Sequence, residues 1–126
     1  MQTDNQKAKK MNETITRQVT EYLMRYPHEI SNLNILLKQL GSGADLSTRK
    51  NMEGHIVASV ALLSPDETEV LVVDHNTYQF PVFPGGHQDP GEAPHQTALR
   101  ELAEEVGITS SVSPNDEPFL IHIDTH

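Results

Sequence analysis

The feature that most constrains the fold of this chain is a glycine-rich loop that passes directly into an amphipathic helix. The loop contains Pro84, Gly85, Gly86, Asp89, Pro90 and Gly91. A segment with helical periodicity follows from Glu92 and ends at Gly107, a residue suited to a left-handed cap. At about 100° per residue, Glu101, Glu104 and Glu105 share one face, and Leu99, Leu102 and Val106 share another. The pattern therefore predicts one face in the core and one acidic face.

The acidic face predicts a bound cation. Glu101 and Glu105 lie one turn apart and repel each other in a bare helix, and Glu104 adds to the crowding. Arg100 lies one turn before Glu104 and neutralises only part of this charge. Three convergent carboxylates suit Mg²⁺ or Mn²⁺ better than a soft metal. Adjacent glutamates alone more often form a solvated acidic face, but the glycine loop and the spacing favour a metal site, where a backbone carbonyl could complete the shell.

The same stretch carries a family resemblance. It reads Gly86, five residues, Glu92, seven residues, and then Arg100-Glu101-Leu102-Ala103-Glu104-Glu105-Val106-Gly107-Ile108. This string resembles the Nudix box, the signature of the Nudix hydrolases, at every fixed position. The resemblance implies a metal-dependent hydrolase that cleaves a diphosphate linkage in a nucleoside diphosphate derivative, with Mg²⁺ or Mn²⁺ as cofactor.

The resemblance also implies roles for individual residues. The carbonyl of Gly86 and the side chains of Glu101, Glu104 and Glu105 are the expected metal ligands. Glu101 is the expected general base, and Arg100 holds the glutamates in place, so Glu101, Arg100 and Glu104 are the predicted catalytic residues. Glu92 is expected to support the loop and the helix.

Composition limits the classes of partner. Residues 1–50 contain eight Lys/Arg and five Asp/Glu, giving +3, whereas residues 51–126 contain only Arg100 against thirteen acids, giving −12. This half would repel polyanions without a metal, which argues against nucleic-acid binding and favours a small nucleotide-type substrate. No apolar run is long enough to span a membrane, so the expected location is the cytoplasm. The chain has no cysteine, which excludes disulfides and a thiolate nucleophile.

The N-terminal third predicts helices. Residues 1–12 are polar and are expected to form a disordered tail. Apolar residues recur at helical spacing from Glu13 to Tyr26, and Pro27 then interrupts the pattern. A second helix is predicted from about Ile30 to Leu40, ended by Gly41-Ser42-Gly43. Residues 13–43 would thus form a helical hairpin, packed either over the sheet or against a second subunit in a homodimer.

The rest of the chain predicts strands around the box helix. His55 to Ser64, Glu69 to Asp74, Tyr78 to Phe83 and Phe119 to Asp124 are the predicted strands, with a turn at Pro65-Asp66-Glu67. The resemblance implies an α/β/α sandwich around a mixed sheet, an α+β arrangement occupying residues 53–126. Such domains usually continue for about 50 to 70 more residues, well beyond the length of a connection between elements, so the domain is expected to be incomplete at its C-terminus.

Two functions remain open at the level of sequence. The first is a Nudix pyrophosphohydrolase, whose substrate the box does not specify. The second is a truncated, catalytically incomplete Nudix-like fragment that serves as a binding or oligomerising module. His87, directly after Gly86, could contact a phosphate or a metal-bound water, although loop histidines are more often ordinary exposed residues.

Overall fold

The computed structural model describes residues 3–48, 50–74, 80–110 and 115–123. Its elements in chain order are helix α1 (Asp4–Arg25), a 3₁₀ turn (Pro27–Glu29), helix α2 (Asn34–Gly41), strands β1 (Val57–Ser59), β2 (Val73–Asp74), β3 (Pro81–Val82) and β4 (Gly85–His87), and helix α3 (Pro94–Val106). This composition confirms the predicted α+β class. None of the helices in the described ranges is long and apolar enough to cross a membrane.

Helix α1 begins earlier than the sequence predicted. Thr3 and Gln6 form a capping box, in which the Thr3 hydroxyl accepts from the Gln6 amide at 3.2 Å and the Gln6 side chain accepts from the Thr3 amide at 2.8 Å. Residues 4–12 are therefore helical, where a disordered tail was expected, because the cap satisfies the free amides at the start of the helix. The helix ends at Arg25, before Pro27.

The hairpin contains most of the hydrophobic core. Pro27 starts a series of tight turns, so α2 begins at Asn34 and not near Ile30 as predicted. The buried cluster consists of Ile15, Val19, Tyr22, Leu33, Leu36, Leu40 and Leu46. Ile56 and Ile121 pack against this cluster from the other part of the chain. The hairpin is thus joined to the segments on both sides of the box within the same chain.

The strands are shorter than predicted and form two antiparallel pairs. Strand β1 pairs with β4, with Ala58 opposite Gly86, and β2 pairs with β3. Leu63 and Val70 form an isolated bridge around the predicted turn. Within the described ranges both sheets are antiparallel, whereas the sequence predicted one mixed sheet. Residues 119–123 contain no strand; residues 78, 79 and 124 of the predicted strands lie outside the described residues.

Exposure explains the short strands. The described apolar side chains of the predicted strands remain largely solvent-exposed at Val57, Leu63, Val70, Val72 and Phe80. A strand gains most of its stability from a buried face and from paired neighbours. Since these side chains lack a buried face, the extended pairing among the described residues is limited to β1–β4, β2–β3 and the Leu63–Val70 bridge. Helix α3 contacts both β1 and β4, and this packing positions the site.

Candidate active site

The glycine loop and helix α3 meet through the β1–β4 pair. Gly85 and Gly86 lie in β4, directly under the carboxylates of α3. A side chain at Gly86 would come within 2.6 Å of Glu101 Oε1, so only glycine leaves room for this carboxylate. The Gly85 amide donates to Glu105 Oε1 at 3.3 Å. The structure thus brings Gly86, Glu101 and Glu105 together at one edge of β4.

Helix α3 has its acidic and apolar positions side by side. Ala98 and Leu102 are buried, and Thr97 is fully buried, whereas Leu99 is 44% exposed. The prediction that Leu99 belongs to the core face was therefore wrong; Ala98 takes that place because the helix packs with its 98–102 side inward. Glu101 is a near neighbour of Ala98 along the helix, and its side chain is only 17% exposed. The acidic face borders the core and does not lie opposite it.

Arg100 is the centre of the ion-pair network. Its Nε lies 2.8 Å from Glu92 Oε2, and its Nη2 donates to Glu92 Oε1 at 3.1 Å, which makes a bidentate pair. Nη1 contacts Glu101 Oε1 and Glu104 Oε2, each at 3.1 Å. Asp89 Oδ2 lies 3.1 Å from Nε. One guanidinium therefore contacts four carboxylates and leaves the cluster strongly negative.

Glu92 ties the loop to the helix. Its Oε1 accepts from the Asp89 amide at 2.8 Å and from the Thr97 hydroxyl at 2.9 Å. Arg100 also donates to the His87 carbonyl at 2.9 Å, which fixes the end of β4. The hydrogen bond from Arg100 holds the pKa of Glu92 at about 2, and the pKa of Arg100 is raised by the same bond. Glu92 is ionised and locked in place at any ordinary pH.

Glu101 has different electrostatics from Glu92. Burial raises its pKa, a hydrogen bond with Glu105 raises it further, and Arg100 opposes both effects. A cation bound between these carboxylates would favour their ionised forms and relieve their mutual repulsion. Glu104 is 58% exposed and faces Arg100.

The donor chemistry fits a hard divalent cation. The carboxylates of Glu101, Glu104 and Glu105 offer oxygen atoms, Arg100 compensates only part of their charge, and Glu101 lies in the space that a side chain at Gly86 would fill. Within the described ranges, however, no three His, Asp or Glu side chains are already arranged as a metal site. Glu104 is held by Arg100, and Glu101 by both Arg100 and Glu105, so the carboxylates are near one another without converging.

Sequence reasoning missed three parts of this site. Thr97 supports Glu92 from within the helix, and its only sequence signal was a hydroxyl five residues after the glutamate. Asp89 was assigned only to the loop, although it contacts Arg100. His55 and His87, which are 32 residues apart, lie with their Nε2 atoms 3.1 Å from each other. Only knowledge of the β1–β4 register would have revealed this last contact.

Comparison with known proteins gives one match. The profile of the NUDIX domain family matches residues 54–120, which is more than half of the chain. The match includes the glycine loop, all of α3 and both strands that pack on it. Neither a curated protein nor a solved structure matches the chain significantly.

Proposed function

Because this chain belongs to the NUDIX domain family, a family of pyrophosphohydrolases, we propose that it hydrolyses a diphosphate linkage in a nucleoside diphosphate derivative with the help of Mg²⁺ or Mn²⁺. The observation that carries this proposal is the close approach of Glu101 to Gly86 beside Glu105. A helix without a catalytic role would gain stability by replacing these acids. Their retention at the glycine loop supports a site that needs negative charge.

The proposed ligands are Glu101, Glu104, Glu105 and the Gly86 carbonyl. When bound, the cation would offset charge on the phosphates and lower the pKa of a bound water. Arg100 keeps Glu101 and Glu104 at the loop, while Glu92 keeps Arg100 there. Glu101 is the proposed general base: its raised pKa makes it a better proton acceptor for the attacking water than an ordinary carboxylate.

Charge also restricts the substrate class. Residues 51–126, which carry the site, contain thirteen Asp/Glu and a single Lys/Arg, Arg100. Arg100 is already occupied by four carboxylates and the His87 carbonyl. The substrate phosphates would therefore be bound mainly through the cation, and a short diphosphate suits such a site better than a nucleic-acid polyanion.

The test is a panel of nucleoside diphosphate derivatives incubated with the full chain and Mg²⁺ or Mn²⁺. Glu104→Gln or Glu105→Gln should lower the rate by at least about 100-fold, as expected for loss of a metal ligand. Glu53→Gln is the matched control, because Glu53 is an exposed acid of the same half. Mn²⁺ binding measured by electron paramagnetic resonance gives a second readout that does not require turnover. Full activity in EDTA, or in the double glutamine variant, would refute the proposal.

A further inference from the structure

Two histidines lie next to each other at the glycine loop: His87 ends strand β4, and His55 precedes strand β1. The Nε2 atoms of His55 and His87 are 3.1 Å apart. Their ring centroids are 4.9 Å apart, with an angle of 31° between the planes. Since the centroids are farther apart than the nitrogens, the two Nε2 edges point toward each other and the rings are not stacked face to face.

From this geometry we propose that His55 and His87 form a binding site for a divalent transition metal of the Zn²⁺ class, made of side chains that the carboxylate site does not use. Two nitrogens bound to one Zn²⁺ at about 2.0–2.1 Å, with an angle between about 90° and 109°, lie about 2.8 to 3.4 Å apart. The 3.1 Å separation of the two Nε2 atoms falls within this range. Imidazole nitrogen is a preferred ligand of Zn²⁺, Ni²⁺ and Cu²⁺, whereas Mg²⁺ prefers oxygen.

The other ring nitrogen of His55 supports a ligating role. Its Nδ1 lies 3.4 Å from the Asn51 carbonyl, a contact that requires the proton on Nδ1. The Nε2 atom of His55 then presents a lone pair toward His87. Metal-binding histidines usually donate their second nitrogen to a carbonyl or carboxylate in this way, which fixes the tautomer and the ring orientation.

Both histidines are held by backbone structure. The Asn51 side chain accepts from the amides of Glu53 and Gly54 and donates to the Asp45 carbonyl, which fixes the loop before His55. His87 is opposite Val57 in the β1–β4 register, and Arg100 binds its carbonyl. Neither side chain has to be drawn in by a loop movement, so little ordering entropy opposes binding.

The surrounding charge favours a cation at this place. The half of the chain that contains both histidines has a net charge of −12, which raises the local concentration of divalent ions. Beyond these two ligands from the described residues, a bound ion has coordination positions for further ligands, such as water or a phosphate. The ion would join the segment before β1 to β4, next to Gly86, and would stabilise this pairing when bound.

The experiment is a calorimetric titration of the full chain with Zn²⁺ in excess Mg²⁺, which occupies oxygen sites. His55→Gln and His87→Gln should each lower the Zn²⁺ affinity at least ~10-fold, whereas His28→Gln, which removes an exposed histidine outside the pair, should leave it unchanged. The double variant Glu104→Gln/Glu105→Gln should also keep Zn²⁺ binding, which separates this proposal from the hydrolytic one.

A measurement on the unaltered protein covers the case in which a variant fails to fold. Long-range ¹H–¹⁵N spectra report each histidine nitrogen directly. Zn²⁺ should shift the Nε2 signals of His55 and His87 together and at equal occupancy. Equal Zn²⁺ affinity in the wild type and both single variants would overturn the proposal, and so would Nε2 signals that do not move when Zn²⁺ binds. Either result would leave a simple hydrogen bond between the two rings.

Discussion

Replacing Glu92 by glutamine tests whether the Arg100 network holds the site together. The substitution keeps the shape of the side chain and an acceptor for the Asp89 amide and the Thr97 hydroxyl, but it removes the charge that faces Arg100. The difference between a pKa of 4.5 and about 2 corresponds to about 3 kcal/mol. Because the Glu92 side chain is 18% exposed and solvent screens part of the pairing, we expect a loss of about 2 kcal/mol in the free energy of unfolding.

The direction of the Glu92 pKa shift determines how this loss of stability depends on pH. The pKa of Glu92 is lower in the folded protein than its ordinary value of 4.5. Its contribution to stability is therefore present above about pH 4.5 and is lost as the pH falls toward about 2. The gap between wild type and Glu92→Gln should thus be largest near pH 7 and should shrink steadily on acidification.

Urea denaturation followed by circular dichroism at several pH values measures this gap. Glu21→Gln is the matched control, because Glu21 also lies 3.1 Å from an arginine but is 48% exposed, and we expect a change below about 0.5 kcal/mol. A Glu92→Gln variant within about 0.5 kcal/mol of the wild type at pH 7 would refute the reasoning. So would a gap that stays constant down to pH 3.

Four further substitutions, with one control, test the glycines and the acid next to the core. Glu101→Gln should raise the melting temperature in EDTA at pH 7 and should lower the rate of hydrolysis. Burial raises the pKa of Glu101, so the stability that this group contributes is lost as the pH rises through that pKa. An unchanged or lower melting temperature would contradict this. Gly86→Ala should keep the fold but displace the flexible Glu101 carboxylate and lower the Mn²⁺ affinity. Gly85→Ala should instead disrupt the β1–β4 pair, because its new carbon would meet the Ala58 backbone. Circular dichroism and Mn²⁺ titration distinguish the two outcomes. Gly107→Ala should cost about 1 kcal/mol on urea denaturation because Gly107 has a φ of 74°, whereas Gly41→Ala, also in open space, should cost little or stabilise.

The elements that the sequence predicted well are those determined by local chemistry. The end of α3 at Gly107, the interruption at Pro27 and the stop at Gly41 to Gly43 each depend on the dihedral preferences of one or two residues. The NUDIX assignment depends likewise on a contiguous string, and the family match supports it. Such features need no knowledge of the rest of the fold.

The features that the sequence did not predict depend on contacts between distant segments. Ala98 and Leu99 are both apolar, so the sequence alone does not decide which of them faces the core. The direction in which α3 packs buries Ala98 and leaves Leu99 exposed. Strand length in turn depends on whether a neighbour covers the strand. The pairing of His55 with His87 follows from a register that only the folded sheet supplies. A capping box at Thr3 could have been noticed, since its Gln6 partner lies at the expected spacing.

The position of the core within the hairpin has a consequence for the order of folding. The buried cluster is made mainly by residues 15–46, whose contacts are short in sequence, and such contacts form quickly. Ile56 and Ile121 then attach the box segment at its two ends. We expect native-state hydrogen exchange to show slow exchange in α1 and α2 and faster exchange in β1 and β4, through openings that leave the hairpin folded. The carboxylate site would then form and open while α1 and α2 stay folded. A bound cation would therefore protect β1 and β4 from hydrogen exchange far more than it protects α1 and α2.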